Sequence, residues 1–406
     1  MGPVTLFDKS FIQSLSIDES VWFNQFFLCN VCPMIFIETL ADLEKEMKNN
    51  KSAEDVVGTM AYKFPNNGMP NVFHNQICLG NLLGNHVNMR GQILLGGGYM
   101  AKNGNKKGAV FEQSLEEQAL KRWEDRDFRK VEQLYAKNWR NEINKLSLTE
   151  FKNLLNYFPL NYKEVNTLEE VKNLVDEFLG NRKYSKLHID FIFRLASIES
   201  KYYQHIVSVF HKNGMLAISE HAPYAAFILA VDLVFMIGMA RGFISDKRNS
   251  NYSDICYLKY LPFSMIFVSN DKLHRRLAPL FLDSNQSFVW GQDLKQDLTT
   301  INDYFMKLPD KIKERGISYF GSTPPPIKEL LTNKIWGKFL NYKIPHNDVI
   351  KFYEPKQNNK LVKELKCIEK IKQDENPIDN PQFIQVEHKI HKIKGSWYIL
   401  PKGFKE

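Results

Sequence analysis

Short apolar runs alternate with stretches of helical period along the start of this chain, and the alternation returns after a long interruption. Residues 4–8 read as a strand, Val-Thr-Leu-Phe, that ends on Asp8. Residues 19–28 follow as an aromatic-rich amphipathic helix. Residues 34–38 read as a second strand, Met-Ile-Phe-Ile, that ends on Glu38 and runs into a helix over 39–45. Glu38, Asp42 and Lys45 then share one helical face at i, i+4 and i+7. Residues 51 to about 110 hold Gly80, Gly84, Gly91, Gly96 to Gly98, Gly104 and Gly108, a pattern of loop and irregular hairpin. From about 112 to 195 the period is helical, with Ser147-x-x-Glu150 and Thr167-x-x-Glu170 as capping boxes. Residues 199–210 continue that set, 222–244 read as a buried helix, and 254–271 return to helix and strand. The run Met265 to Val268 is apolar throughout, as a strand covered on both faces is, and Asp271 closes it.

The expected class is α/β, with three layers and a central parallel sheet. Residues 1–50 and 196–290 make one split domain, 51–195 a glycine-rich loop with a helical insertion, and 291–406 a C-terminal basic extension. Three consecutive prolines, Pro324 to Pro326, mark a stiff spacer near the start of that extension.

Composition changes this picture in three places. The net charge of +8 is concentrated late: residues 327–406 carry 16 Lys, no Arg and 10 acids, which is +6. That suits a polyanionic or protein partner at the C-terminal region, and equally an ordinary solvated surface. The five cysteines are an odd set with no leader ahead of them, which argues for a reducing, cytoplasmic setting. Cys29-x-x-Cys32 has no second pair to complete a zinc site, so packing is its plain reading. Residues 222–244 are long enough for a membrane span but contain Pro223, Asp232 and Arg241, and an Asp at a span's centre costs about 3 kcal/mol. A buried core helix is expected there, and no membrane partner.

Candidate chemistry lies at the strand ends. Asp8, Glu38 and Asp271 each follow an apolar run, and Asp254 opens the helix before the last strand. An acid so placed is also an ordinary helix cap. Capping does not require convergence, whereas four carboxylates in one cleft need a hard divalent cation such as Mg²⁺ or Mn²⁺ to offset their repulsion. Asp42 and Asp232 are secondary candidates. Lys272, His274, Arg275 and Arg276 follow Asp271 directly, as phosphate contacts would. Further basic residues, Arg90, Lys102, Lys106 and Lys107 in the glycine-rich segment and Lys389, Lys392 and Lys394 near Trp397-Tyr398, are candidate nucleic-acid contacts. So are Trp123 and Trp139 among Arg122, Arg126, Arg129 and Arg140, while His388 and His391 lack the acid or Cys pair a metal site would add. No Gly-Lys-Ser/Thr follows the glycines, which excludes a P-loop ATPase.

These residues resemble the PIN-domain nucleases. Asp8 in LFDKSFIQSL resembles that family's first acid and Glu38 in PMIFIETLADLEK its second. Asp254 in YSDICYLKYLPF and Asp271 in IFVSNDKLHRRL resemble its third and fourth. The chain departs in length and in the Lys9-Ser10 that follows Asp8. The resemblance implies a PIN-like α/β fold and hydrolysis of phosphodiesters with Mg²⁺ or Mn²⁺ on Asp8, Glu38, Asp254 and Asp271. It also implies a nucleic-acid substrate, RNA ahead of DNA, and the role of a toxin or defence effector. Two rivals stand beside it: a PIN-like binding module whose acids only cap helices, and a thiol oxidoreductase built on Cys29 and Cys32.

Overall fold

A computed structural model describes residues 2–47, 51–64, 69–70, 72–95, 99–103, 106–110, 114–145, 153–246, 251–345, 384–385 and 391–404. The proposed capping box at Ser147-Glu150 and the residues Cys367, His388 and Lys389 lie outside them. Ten strands are described: β1 (Val4–Phe7), β2 (Leu28–Val31), β3 (Met69–Pro70), β4 (Tyr99–Asn103), β5 (Lys106–Val110), β6 (Ile266–Ser269), β7 (Ser287–Trp290), β8 (Ile384–Gln385), β9 (Ile393–Lys394) and β10 (Trp397–Tyr398). Five of them form one sheet in the order β3-β2-β1-β6-β7, and every pairing in it is parallel. All residues of β1 and β6 are buried, so both faces of the sheet are covered, and the architecture is α/β as the continuous apolar runs predict.

The order has a consequence for function. From β1 the chain builds outward through β2 to β3, then returns to the other side of β1 and builds outward through β6 to β7. The direction reverses between β1 and β6. In open parallel sheets the C-terminal ends at such a reversal leave a crevice that no crossover fills.

The second strand is not where periodicity placed it. Residues 34–38 belong to helix α3 (Met34–Ala41), and the strand beside β1 is Leu28–Val31, registered Val4↔Leu28 to Leu6↔Asn30. An apolar run of four does not distinguish strand from buried helix. Pro33 decides it, because at φ −54° it is already set for a helix start. Glu38 therefore comes from a helical face rather than a strand end. The segment 51–110 holds the expected hairpin, β4–β5, and also more regular structure than its glycines imply, helices Ala53–Lys63 and His74–Leu82.

Local signals explain the other helices around the sheet. Asp8 caps α1 (Lys9–Ser14), and Ser16 with Glu19 closes a reciprocal capping box on α2 (Ile17–Phe26). Thr167 accepts from the Glu170 N–H and caps Leu168–Gly180 as predicted. Helix α4 (Pro223–Ala240) is apolar all round and mostly buried. Among the described residues it alone is long and apolar enough to cross a membrane. Helices α5 (Asn251–Leu258) and α6 (Lys272–Leu277) flank β6 in sequence, and α5 packs on α3, α4 and α6. Helix α7 (Gly291–Met306) packs along α2. Trp22 of α2 stacks on Phe305 of α7 at 4.4 Å and meets Trp397 of β10 edge-on at 4.8 Å. Both indole N–H groups donate to Asn302 Oδ1, at 3.1 and 2.9 Å. Trp397, close to the C-terminus, is thus part of the core of the N-terminal α/β unit.

Candidate active site

Asp8 leaves the end of β1 with its backbone N–H bonded to Val268 O of β6, so the carboxylate stands at the reversal in strand order. Oδ1 accepts from the Phe11 N–H at 2.8 Å, and Oδ2 accepts from Ser10 Oγ at 2.8 Å and Ser269 Oγ at 2.7 Å. A carboxylate offers about four lone-pair directions, so roughly one remains.

Ser269, the last residue of β6, joins the acids. Besides donating to Asp8 it accepts from the Asp271 N–H at 2.9 Å and lies 2.7 Å from His274 Nδ1. The other ring nitrogen, Nε2, lies 2.7 Å from the Asp254 carbonyl, which can only accept. Nε2 must therefore carry a hydrogen. The Ser269 hydroxyl has one proton for two neighbours at 2.7 Å, Asp8 Oδ2 and His274 Nδ1; with that proton on Asp8, Nδ1 is the donor and the ring is charged. Burial opposes that charge, but the adjacent Asp8 carboxylate and the charge of Asp254 outweigh it, and the imidazole pKa is raised to about 9. His274 Nδ1 is 3.7 Å from Asp8 Oδ2.

Glu38 approaches from α3. Its Oε2 accepts from Tyr257 OH at 2.7 Å. Burial first, and then the neighbouring charge of Asp254, raise its carboxyl to about 7, with Asp8 adding in the same direction and Tyr257 and Lys9 opposing. Asp254 sits in the first turn of α5, where the helix dipole favours a negative charge. The charges of Asp254 and Asp8 thus act on Glu38 through space, and the buried His274 ring links the Asp8 carboxylate to the Asp254 backbone carbonyl.

The fourth expected acid has another duty. Asp271 caps α6, its Oδ1 accepting from Leu273 N at 2.5 Å and His274 N at 3.3 Å. That cap fixes the helix that carries His274. Among the described residues no group of three His, Cys, Asp or Glu side chains stands closed around a position for a metal ion.

Several other expectations find different places. Asp232 is not a ligand: fully buried in α4, it pairs with Lys259 Nζ at 2.9 Å and accepts from Tyr252 OH at 3.3 Å, which satisfies a charge that could not stay alone. Asp42 is held by Lys9 at 3.3 Å and Lys45 at 3.1 Å. His274 is buried with both nitrogens engaged, so it organises acids instead of reaching a substrate. Lys272, Arg275 and Arg276 are exposed on α6 beside it. Trp123 is core, its indole bonded to Glu132 at 3.1 Å, while Arg122 pairs with the same carboxylate and Arg126 binds the Glu54 and Asp55 carbonyls. Arg90 is exposed. Lys102, Lys106 and Lys107 belong to the β4–β5 hairpin. Lys394 points inward to Phe64 O at 2.8 Å, and His391 pairs with Glu124 at 3.3 Å. Cys29 and Cys32 are buried free thiols whose ionisation burial pushes upward, the opposite of a reactive pair.

Ser269, Tyr257, Ser10 and Lys9 were missed as site residues. Lys9 is buried and bridges Asp42 and Glu46, the latter at 2.7 Å, with its Nζ 3.4 Å from the Glu38 carbonyl. Tyr257 had a usable signal, since it falls at i+3 from Asp254 and so on the same helical face. A scan against family models, a search of curated proteins and a search of solved structures each found no match to this chain.

Proposed function

We propose that this chain is a PIN-like nuclease that hydrolyses phosphodiesters with the help of Mg²⁺ or Mn²⁺, and that its substrate is RNA. The observation that carries the reading is Glu38. It stands near Asp254 and Asp8 at the C-terminal reversal of a parallel sheet, with its proton affinity raised to about 7 by burial and by those charges. A group in that position holds either a proton or a cation at neutral pH. The available donors are carboxylate oxygens, which suit a hard divalent ion.

In this reading Asp8, Glu38 and Asp254 would hold the cation, which when bound supplies an activated water and neutralises charge developing on the phosphate. The chain's own part is to keep those acids close without one. His274 compensates Asp8, Ser269 fixes the Asp8 rotamer, Tyr257 orients Glu38, and Asp271 holds α6 so that His274 stays in place. Taking up the cation releases the Glu38 proton, so affinity rises with pH through neutrality.

A second reading, a binding module that cuts nothing, is favoured by one observation: Asp8 and Asp271 are both working helix caps. One pair of measurements separates the two. The full-length protein and Asp8→Asn are incubated with labelled RNA and Mn²⁺, and their melting is followed with and without the ion. Cleavage by the parent, lost in D8N, with melting raised by millimolar Mn²⁺, supports the nuclease. Cleavage undiminished in D8N, or a parent that neither cuts nor responds to the ion, rejects it.

A further inference from the structure

The sheet places a half-exposed tryptophan beside these acids. Trp290 ends β7 in register with Ser269 of β6, and paired residues of neighbouring parallel strands point to the same face. The Ser269 hydroxyl reaches Asp8 and His274, so the Trp290 ring lies on the acid side of the sheet. Arg275, one residue after His274, sets its guanidinium 5.2 Å from the centre of that ring. A second arginine–aromatic pair adjoins it: Arg276 donates to Phe243 O at 2.9 Å, and Arg241 lies 5.9 Å from the Phe243 ring. Lys272, Arg275 and Arg276 are all exposed, in a six-residue helix that contains no acid.

Each part is ordinary on a protein surface, but their combination at this location is specific. Three exposed cations match a phosphate backbone, yet lysines alone would supply that charge. Arginines laid against aromatic rings add flat polarisable surfaces, which bind unpaired bases through their π-faces. Paired bases in a duplex keep those faces stacked on one another. We infer that Trp290 and Arg275 form a stacking platform for one unpaired base, which seats a single strand across α6 beside Asp8. The proposal rests on the nucleic-acid reading above, though not on cleavage itself.

The test uses the whole chain in EDTA, where no cutting occurs, and measures anisotropy with three labelled probes: a short single-stranded oligoribonucleotide, the same strand with abasic sites, and its duplex. The parent should bind the intact strand about tenfold more tightly than the abasic one, the usual size for one stacked base. Trp290→Ala should lose that ratio while keeping the parent's weak binding to the abasic strand, and Trp290→Phe should keep most of it. Arg275→Lys, which retains the charge and removes the plane, should fall between. An unchanged ratio in W290A, or a parent that does not distinguish intact from abasic strands, overturns the platform. A parent that shows the ratio but leaves RNA uncut with Mn²⁺ supports the platform and removes the nuclease.

Discussion

Replacing Glu38 by Gln should stabilise the cation-free protein at alkaline pH. In the fold the carboxyl titrates at about 7 against an ordinary 4.5. Between those values the folded chain holds a proton that the unfolded chain has released, so stability falls as pH rises through the window. At about 1.4 kcal/mol per pH unit, the loss is about 3 kcal/mol above pH 7. Glutamine has no proton to lose, fills the same space and can still accept from Tyr257 OH through its carbonyl. Urea unfolding in EDTA should therefore show E38Q and parent within about 1 kcal/mol at pH 4.5, and E38Q ahead by up to about 3 kcal/mol at pH 8. Millimolar Mn²⁺ at pH 8 should narrow or reverse the gap by stabilising the parent alone. An E38Q advantage of the same size at both pH values would refute the idea that burial, reinforced by the charges of Asp254 and Asp8, sets the Glu38 proton affinity.

Three further outcomes follow from buried groups. His274 titrates at about 9 in the fold against 6.5, so the parent holds about 3 kcal/mol below pH 6.5 that it loses as pH rises through 9; His274→Gln should flatten that slope in the same unfolding series. Lys259→Met leaves the fully buried Asp232 without its cation, with only the Tyr252 hydroxyl to answer it, and should cost about 3–5 kcal/mol, whereas adding Asp232→Leu should recover much of it. Trp397→Ala removes an indole fully buried against Trp22 and Phe320 and should cost about 3–5 kcal/mol, lowering the melting of the α/β unit as a whole.

The parts of the site that could be read from the residues are those delivered by strand ends. Phe7-Asp8 and Ser269-Asn270-Asp271 follow short apolar runs, and the sheet positions them much as that pattern implies. Glu38 was legible as an acid but not as a helical one, because Met-Ile-Phe-Ile satisfies both periods until Pro33 is weighed. The duty of Asp271 as a cap, and of Asp232 as the partner of Lys259 27 residues away, depends on tertiary neighbours that no local period encodes. The same holds for Ser269, whose three partners come from the residue after β1, from α6 and from the turn between β6 and α6. The glycines of 80–108 pointed to a hairpin, which β4–β5 is, but obscured the helix His74–Leu82, since glycine weakens a period without forbidding the element.

The neighbour that completes β1 is encoded far downstream: the hydroxyl that steadies Asp8 belongs to a residue 261 positions later. During synthesis, at about 5–20 residues per second, that interval lasts on the order of tens of seconds. Throughout it a nascent chain owns the first acid and lacks the imidazole and serine that position it. A ribosome-bound fragment that stops short of Ser269 therefore cannot assemble the acid cluster, which comes into being only after most of the polypeptide has been made.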